Sequence, residues 1–370
     1  MDFTPTPEQA DAAGLAATIL GDHCTPERLK AVDGQDDRFD RALWRDLGAS
    51  GLLGLALPEE YGGSNLGLLE ACTVLVEAGR RLAPVPLATH TATALAIAGH
   101  GSDDQRSTWL PRAADGSAVL TAALAEELAH VPSEPTTRAE HDGSAWLLSG
   151  TKVAVPAGTV AGLFVVPAAT ADGPTVFLVP RESDGVTVQP QRTSDGDQVA
   201  RVVLDRAAVA LDAHLGPVGA GDQVTGWLAQ RLTLAVCAQQ VGTVRGALEL
   251  TSAYARTREQ FGRPIGTFQA VSQRLADGYI DVLGAELTLW QAAWRLSEGL
   301  PAECEVATAK LWAADAGHRL AHTTVHVHGG VGIDLDGEAH RFFTGAKRNE
   351  FWLGGTTVQA RTIGRLLAPA

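Results

Sequence analysis

The sequence predicts an α+β fold in three blocks: an N-terminal helical domain, a central small antiparallel β domain and a C-terminal four-helix bundle. Three observations carry this expectation. Apolar residues recur at helical spacing up to residue 118 and again from 218 onward. Between them, roughly 100 residues hold six short β-rich runs, with none of the intervening helices that a parallel α/β sheet requires. A chain of 370 residues is also too long for one hydrophobic core.

The first block, 1–118, opens with MDFTPTPEQADAAGLAATIL. This stretch carries Asp2 and Glu8 but no Lys or Arg, so it lacks the basic region of a secretion signal. It reads as the first folded helix of a cytoplasmic protein. Ala-rich segments at Leu66–Arg81 and Thr89–Gly99 repeat apolar residues at helical spacing, separated by Pro58, Gly62-Gly63, Pro84, Pro86 and Gly101. In the second block, 119–217, the runs VLTAALAE, AWLLSGTKVAV, GLFVVPA, TVFLVP, GVTVQP and ARVVLDRAAV are split by Asp-Gly, Pro and Ser turns. That spacing predicts a small antiparallel barrel or sandwich. The polar, Pro-containing stretch 124–144 reads as a surface loop. In the third block, 218–370, long helical segments at 222–258, 268–298, 302–328 and 340–350, with another after Thr356, are joined by short links. Such a pattern makes a bundle.

A formal charge of −14 argues against a general nucleic-acid binder, which needs a basic surface to displace counterions. It leaves room for a local basic pocket holding a phosphorylated cofactor. The longest apolar stretches fall well short of the ~18–20 residues that would span a bilayer, so no membrane role is expected. Cys24, Cys72, Cys237 and Cys304 form no CxxC pair and read as reduced, mostly buried thiols.

Several motifs are missing. There is no GxxxxGK[ST] phosphate loop, no GxSxG elbow and no HExxH. Gly330-Val331-Gly332 does not extend to GxGxxG and follows a helix rather than a strand. His318, His322 and His326 share one helix face, but no acidic ligand is interleaved. They read as polar groups at a helix packing surface, not as a metal site.

Three stretches are more informative. In Tyr254–Val271, YARTREQFGRPIGTFQAV, a helix carrying Arg256 and Arg258 is expected to end near Gly262-Arg263-Pro264, with a new helix opening after Gly266. Arg offers a fork of donors for phosphate and Phe261 a flat apolar face, although a charged turn between helices reads equally well. In Val325–Gly332, VHVHGGVG, paired glycines could admit a pyrophosphate or a ring, or could simply stop a helix. In Phe351–Gln359, FWLGGTTVQ, paired glycines again permit close approach, yet the glycines and threonines offer no proton acceptor at neutral pH.

Taken together in this order, LPEEYGG at 57–63, YARTREQFGRPIGTFQA, HGGVG followed by HRFFTGAKRNE, and the terminal GGT resemble the acyl-CoA dehydrogenase family over nearly the whole chain. The resemblance implies a helical domain, a β domain and a four-helix bundle, assembly as dimers or tetramers, and FAD-dependent oxidation of an acyl-CoA to its 2,3-enoyl-CoA. In that family FAD crosses a subunit boundary. Carried over, Arg258 would pair with the pyrophosphate, and Phe261, Ile265 and Phe268 would pack on the cofactor. Gln260 and Gln269 belong to the same cofactor-binding set, Gln269 as a nearby hydrogen-bonding group. His328, Gly329 and Gly330 would form a second wall. His326 stands where the family usually has Gln.

The departures from the pattern point to a divided enzyme. The family's usual base is a glutamate directly before Gly-Thr, where this chain has Gly354. In some members the glutamate instead precedes an arginine of the first bundle helix, where this chain has Gln230 before Arg231. Neither glycine nor an amide abstracts a proton. In the β domain, Ala125-Glu126-Glu127-Leu128 runs into AHVPSEPTTRAEHDGS without the family's Gly-Ser-Asp, and GTKVAVPAG replaces its flavin-side Trp motif. The stretches MDFTPT, TREQFGRPIGTFQAV, QRLADGYIDV and HTTVHVHGGVG look like the small, base-less subunit of the α2β2 enzymes that shorten steroid side chains in cholesterol-degrading bacteria. That resemblance implies a homologous catalytic partner supplying the glutamate, the β-domain flavin contacts and most of the acyl-CoA pocket. FAD would be shared, and an electron-transfer flavoprotein is the expected acceptor. Two alternatives are a homomeric flavoenzyme using Glu350 or Glu126 as base, and a cofactor-free scaffold subunit.

Overall fold

The structure is a computed structural model that describes residues 4–127 and 132–368. Met1–Phe3 of the opening stretch, Leu128–Val131 of the β-domain stretch, and Pro369-Ala370 lie outside the described residues. Two compact units share the chain, and the N-terminal helical block contributes to both.

The first unit comprises residues 1–29, 67–83 and 233–370. Helix α1 (Pro7–His23) starts at a capping box: Thr6 Oγ1 accepts from Gln9 N–H at 3.3 Å, and Gln9 Oε1 accepts from Thr6 N–H at 3.2 Å. α2 spans Pro26–Asp33, and α3 (Arg41–Ala49) belongs to the second unit. α4 (Leu68–Arg80) lies against the long helix α7 (Gly221–Thr257) with no room for side chains at the crossing. A Cβ on Gly79 would meet the Gln239 carbonyl at 2.0 Å, and one on Gly242 would meet the Val76 carbonyl at 1.8 Å. Of the other helices, α5 (Leu87–His100) and α6 (Asp103–Ala114) belong to the second unit, and α8 (Gln269–Ser297), α9 (Glu303–His328), α10 (Ala339–Phe351) and α11 (Thr356–Leu367) to the first. Within the first unit α9 is packed by α8, α10 and α11. Arg319 of α9 grips Asp281 of α8 with both ends of its guanidinium, at 2.8 and 2.7 Å, which fixes their register. Lys310 of α9 is fully buried and donates to the Asn349 and Glu350 carbonyls at 2.8 and 3.0 Å, a cation at the negative end of α10.

The second unit, residues 30–66 and 84–232, holds the sheet. Its strands are β1 (Leu120–Ala122), β2 (Arg138–His141), β3 (Trp146–Pro156), β4 (Leu163–Thr170), β5 (Gly173–Pro180), β6 (Val186–Arg192), β7 (Gln198–Val209) and β8 (His214–Leu215). Their order is β6-β7-β3-β2-β4-β5-β8, with β1 added alongside β4. The sheet departs from the expected antiparallel pattern along one edge of β4. There β1 runs parallel to it, and β2 pairs with it in parallel at Arg138 and Ala169. Expected as loop, 124–144 contains β2, because its RAEH sequence has no apolar alternation for a sequence reading to detect. The sheet's core alternates along the strands: Trp146 and Leu148, Phe164 and Val166, Phe177 and Val179, Val202 and Leu204.

Side chains of α5 seal β1. Thr89 Oγ1 accepts from Ala122 N–H at 3.2 Å, and His90 Nδ1 accepts from Leu120 N–H at 3.2 Å. His90 must therefore carry its proton on Nε2, which donates to the Ala113 carbonyl at 3.1 Å. Burial pushes this imidazole down to about 4 from 6.5. The unfolded chain thus binds a proton near pH 6.5 that the folded chain refuses, and stability falls as pH drops from there toward 4. The total is about 3 kcal/mol. Urea midpoints measured across that window should fall in the wild type and fall less in His90→Gln. Identical slopes would remove His90 from the account.

Among the described residues, no helix is long and apolar enough to cross a membrane. The four cysteines form no disulfide, and Cys72 and Cys237 are fully buried.

Candidate functional site

The helix expected to carry Arg258 and to end near Gly262-Arg263-Pro264 stops before Arg258. α7 ends at Thr257, Arg258 follows it, and residues 259–264 form a hairpin of β9 (Glu259–Gln260) and β10 (Arg263–Pro264). Phe261 (φ +54°) and Gly262 (φ +73°) are its two central residues, both left-handed, as a two-residue hairpin turn of the primed type requires. For Phe261 that backbone is costly. Its ring is nonetheless 93% exposed, touching Phe268 edge-on at 6.1 Å between centroids. Arg263 sits over the Phe268 ring at 4.3 Å. Ile265 and Phe268 are placed around a short 3₁₀ turn (Ile265–Thr267), and Phe268 precedes α8, so the new helix opens at Gln269. Gln260 and Gln269 are exposed or nearly so, and Gln260 Nε2 donates to the Glu259 carbonyl at 2.8 Å. Arg256, Arg258 and Arg263 have no carboxylate partner among the described residues. The hairpin thus presents unspent positive charge beside two aromatic faces, which suits an anionic, planar ligand.

The second predicted stretch stands at the same end of the bundle. Thr251 of α7 hydrogen-bonds Thr324 of α9 at 3.1 Å, and Tyr254 stacks on His328 with centroids 4.3 Å apart and planes 23° from parallel. His328 Nδ1 lies 2.8 Å from the Thr324 carbonyl, so it donates there and leaves Nε2 as an acceptor. α9 ends at Gly329 with φ +66° and ψ −139°, a conformation reserved for glycine, and a 3₁₀ turn (Gly329–Gly332) follows. A Cβ added to Gly329 or Gly330 would meet nothing of this chain within 4 Å. Packing within the chain therefore gives no reason for Gly330, and the bare surface it leaves faces outward. His326 is exposed beside it. Tyr254 was not among the candidate residues; its place one turn before Arg258 was the available signal.

His318, His322 and His326 are all exposed, but two of them meet α10: His318 Nδ1 lies 3.1 Å from Glu350 Oε1, and His322 meets the Phe343 ring edge-on with centroids 5.4 Å apart. His318 and His322 have ring centroids 4.7 Å apart, and no group of three or more His, Cys, Asp or Glu among the described residues is arranged to hold a metal.

The family's base positions are regular in one case and strained in the other. Gln230 lies within α7. Gly354 has φ +93° and follows Leu353, itself left-handed at φ +62°. Buried Gln359 holds this turn, donating from Nε2 to the Leu353 and Gly354 carbonyls at 2.9 and 3.2 Å. The alternative base Glu126 is buried and engaged through both oxygens. Oε1 accepts from Lys152 Nζ (2.6 Å), Thr137 Oγ1 (2.6 Å) and Thr137 N–H (3.0 Å), and Oε2 from Thr136 Oγ1 and N–H, both at 2.6 Å. Burial alone would raise this carboxyl, but bonds from Lys152, Thr136 and Thr137 outweigh it and hold Glu126 down to about 2. So saturated and so weakly basic a group is a structural anion. Glu350 is also buried, clasped by Lys347 at 2.6 Å and His318 at 3.1 Å.

Comparison with known proteins settles the lineage. Profiles for the acyl-CoA dehydrogenase N-terminal, middle and C-terminal domains match residues 6–117, 125–207 and 219–368 in turn. The chain belongs to the acyl-CoA dehydrogenase family. Among family members, it is 46% identical to acyl-CoA dehydrogenase FadE27 of Mycobacterium tuberculosis, over 100% of this chain and 99% of that protein. Of solved structures, a chain of the ChsE4-ChsE5 complex from Mycobacterium tuberculosis superposes with a TM-score of 0.95 at 46% identity, covering 100% of both chains. A chain from a variant of the Tcur3481-Tcur3483 steroid acyl-CoA dehydrogenase does so with a TM-score of 0.92 at 40% identity, covering 97% of each. The α+β, helical–β–helical fold is that of the acyl-CoA dehydrogenases.

Proposed function

We propose that this chain is the non-catalytic subunit of a heteromeric acyl-CoA dehydrogenase that oxidises a steroid side-chain CoA thioester to its 2,3-enoyl-CoA. One observation carries the reading: both family positions for the base hold residues that cannot take a proton, Gly354 and Gln230, while the REQFGRPIGTFQ and HGG stretches of the bundle keep the family pattern. FAD supplies the two-electron acceptor for that oxidation. Arg258 would face its pyrophosphate, Phe261, Ile265 and Phe268 would pack against it, and Gln260 and Gln269 would lie at its edge. His326, His328, Gly329 and Gly330 would form the second wall. The exposed Phe261, the unpaired Arg258 and the open space above Gly330 support a ligand from outside the chain's own packing.

A homologous partner would supply the glutamate, the remaining flavin contacts and most of the acyl-CoA pocket, in an α2β2 assembly reoxidised by an electron-transfer flavoprotein. An uncovered apolar stripe on α8, made of Tyr279, Ile280, Leu283 and Leu287 at helical spacing, supports a partner of this kind, as do the relatives solved as two-component complexes. The homomeric alternative loses Glu126 as a base for the reasons above.

Purifying the chain alone and again with a glutamate-bearing homologue, then measuring flavin per chain and dehydrogenation, tests the reading. The lone chain should turn over at least about 10²–10⁴-fold more slowly. Full flavin loading and turnover by the lone chain would refute it, and loss of that turnover in Glu350→Gln would install the homomeric enzyme instead. In the assembled protein, Arg258→Ala should weaken flavin retention by about 10–100-fold, the loss of a charge-assisted contact. Fluorescence of flavin released on dilution reads this directly, and unchanged retention would remove Arg258 from the site.

A further inference from the structure

Apart from the flavin wall, the second unit holds a half-buried cation with no carboxylate partner among the described residues. Arg231 follows Trp227 by one turn of α7, and its guanidinium carbon lies 3.5 Å from the Trp227 ring centroid. One N–H reaches the Trp227 carbonyl at 3.3 Å. No carboxylate among the described residues pairs with Arg231. Burial lowers this guanidinium to about 10, with no opposing charge to offset it. A guanidinium held against an aromatic face is pre-organised, and the donors it has not used form the fork that matches a carboxylate.

A second group converges on the same ring. His100, the last residue of α5, meets Trp227 edge-on with centroids 5.0 Å apart. Its Nε2 is shielded from solvent and has no hydrogen-bond partner. Burial first, then Arg231 and Arg106, keep this imidazole below the usual histidine range, so it is a neutral ring able to offer one N–H. Arg106 of α6 is itself paired with Asp103 at 3.3 Å. The cluster is thus left with one uncompensated charge, on Arg231, and two unmet polar atoms, His100 Nε2 and Arg106 Nε.

We propose that Arg231, backed by Trp227 and flanked by His100, binds the carboxylate of a small organic acid. A singly charged carboxylate matches the one free cation and can accept from both residues. A phosphate dianion would bring a second negative charge with no second free cation to meet it. The site lies wholly within the second unit and is independent of the flavin reading.

Calorimetric titration of the full chain, in the assembly in which it purifies, with butyrate tests this. Saturable binding is expected, weakened about tenfold in Arg231→Lys, where the fork is lost, and abolished in Arg231→Met. His100→Leu should weaken it as well, and inorganic phosphate should fail to compete at equal concentration. The proposal is overturned by absence of saturable binding, by unchanged affinity in either Arg231 variant, or by phosphate binding as tightly as butyrate. Should Arg231→Met fail to fold, Arg231→Lys keeps the charge and decides alone.

Discussion

Replacing Lys152 with Met is expected to destabilise the sheet-bearing unit by about 3–5 kcal/mol, because it strands a buried carboxylate. Lys152 has no exposed surface and donates from Nζ to Glu126 Oε1 at 2.6 Å and to the Pro167 carbonyl at 2.8 Å. Burial lowers the lysine's own pKa, and the nearby carboxylate opposes that shift without cancelling it. The pair is costly to bury, and removing one member leaves the other's desolvation uncompensated. A double variant, Lys152→Met with Glu126→Gln, should recover only part of the loss: it removes the stranded charge, but the single amide oxygen can accept from Thr136 or from Thr137 and its NH2 cannot accept the other's N–H. Glu126 also sets a pH window. Its folded value lies below the ordinary 4.5, so its contribution is full above pH 4.5 and disappears as pH falls toward 2. Urea denaturation at pH 7 measures the effect, and a Lys152→Met variant within about 1 kcal/mol of wild type would show the pair to be a bystander.

That pair also marks where the sequence stopped being readable. Helical periodicity placed α4, α5 and the long helices α7 to α9 within a few residues, because each buries a continuous apolar face. β2 escaped because it is held by its neighbours β3 and β4 rather than by any alternation of its own. Glu126 looked like a spare acid in a polar loop, since its partners Lys152, Thr136 and Thr137 come together only through pairing of distant segments. The hairpin at Arg258 shows the same limit. Its Gly262-Arg263-Pro264 sequence announced a stop, but not that Phe261 would take a left-handed backbone and stand clear of its own chain. The glycine wall was legible as paired glycines. What was not legible is that Gly330 has no steric neighbour while Gly354 is hemmed in.

That contrast governs the last expectation: Gly354→Glu will not make the lone chain a working dehydrogenase. The position lies at φ +93°, where a side chain is strained whatever space surrounds it. Space is short as well, since an added Cβ would stand 2.8 Å from Val358 Cγ1 and 3.1 Å from Gln359 Nε2. Gln359 is the residue that pins this turn, so the new side chain can be seated only by loosening its hold on the Leu353 and Gly354 carbonyls. A cost of about 1–3 kcal/mol is expected from crowding and backbone strain together. A carboxylate admitted on those terms is not held in the geometry that general-base catalysis demands. Turnover by the lone Gly354→Glu chain should therefore stay within a few-fold of wild type, still about 10²–10⁴ below the assembled enzyme, with a lowered melting temperature. Gln230→Glu is the informative companion, because residue 230 lies within the regular helix α7 and imposes no backbone strain. Its stability should match wild type to within about 0.5 kcal/mol. Robust dehydrogenation by Gly354→Glu alone, with no loss of stability, would mean that the turn relaxes freely and that its glycine is not what keeps the base away.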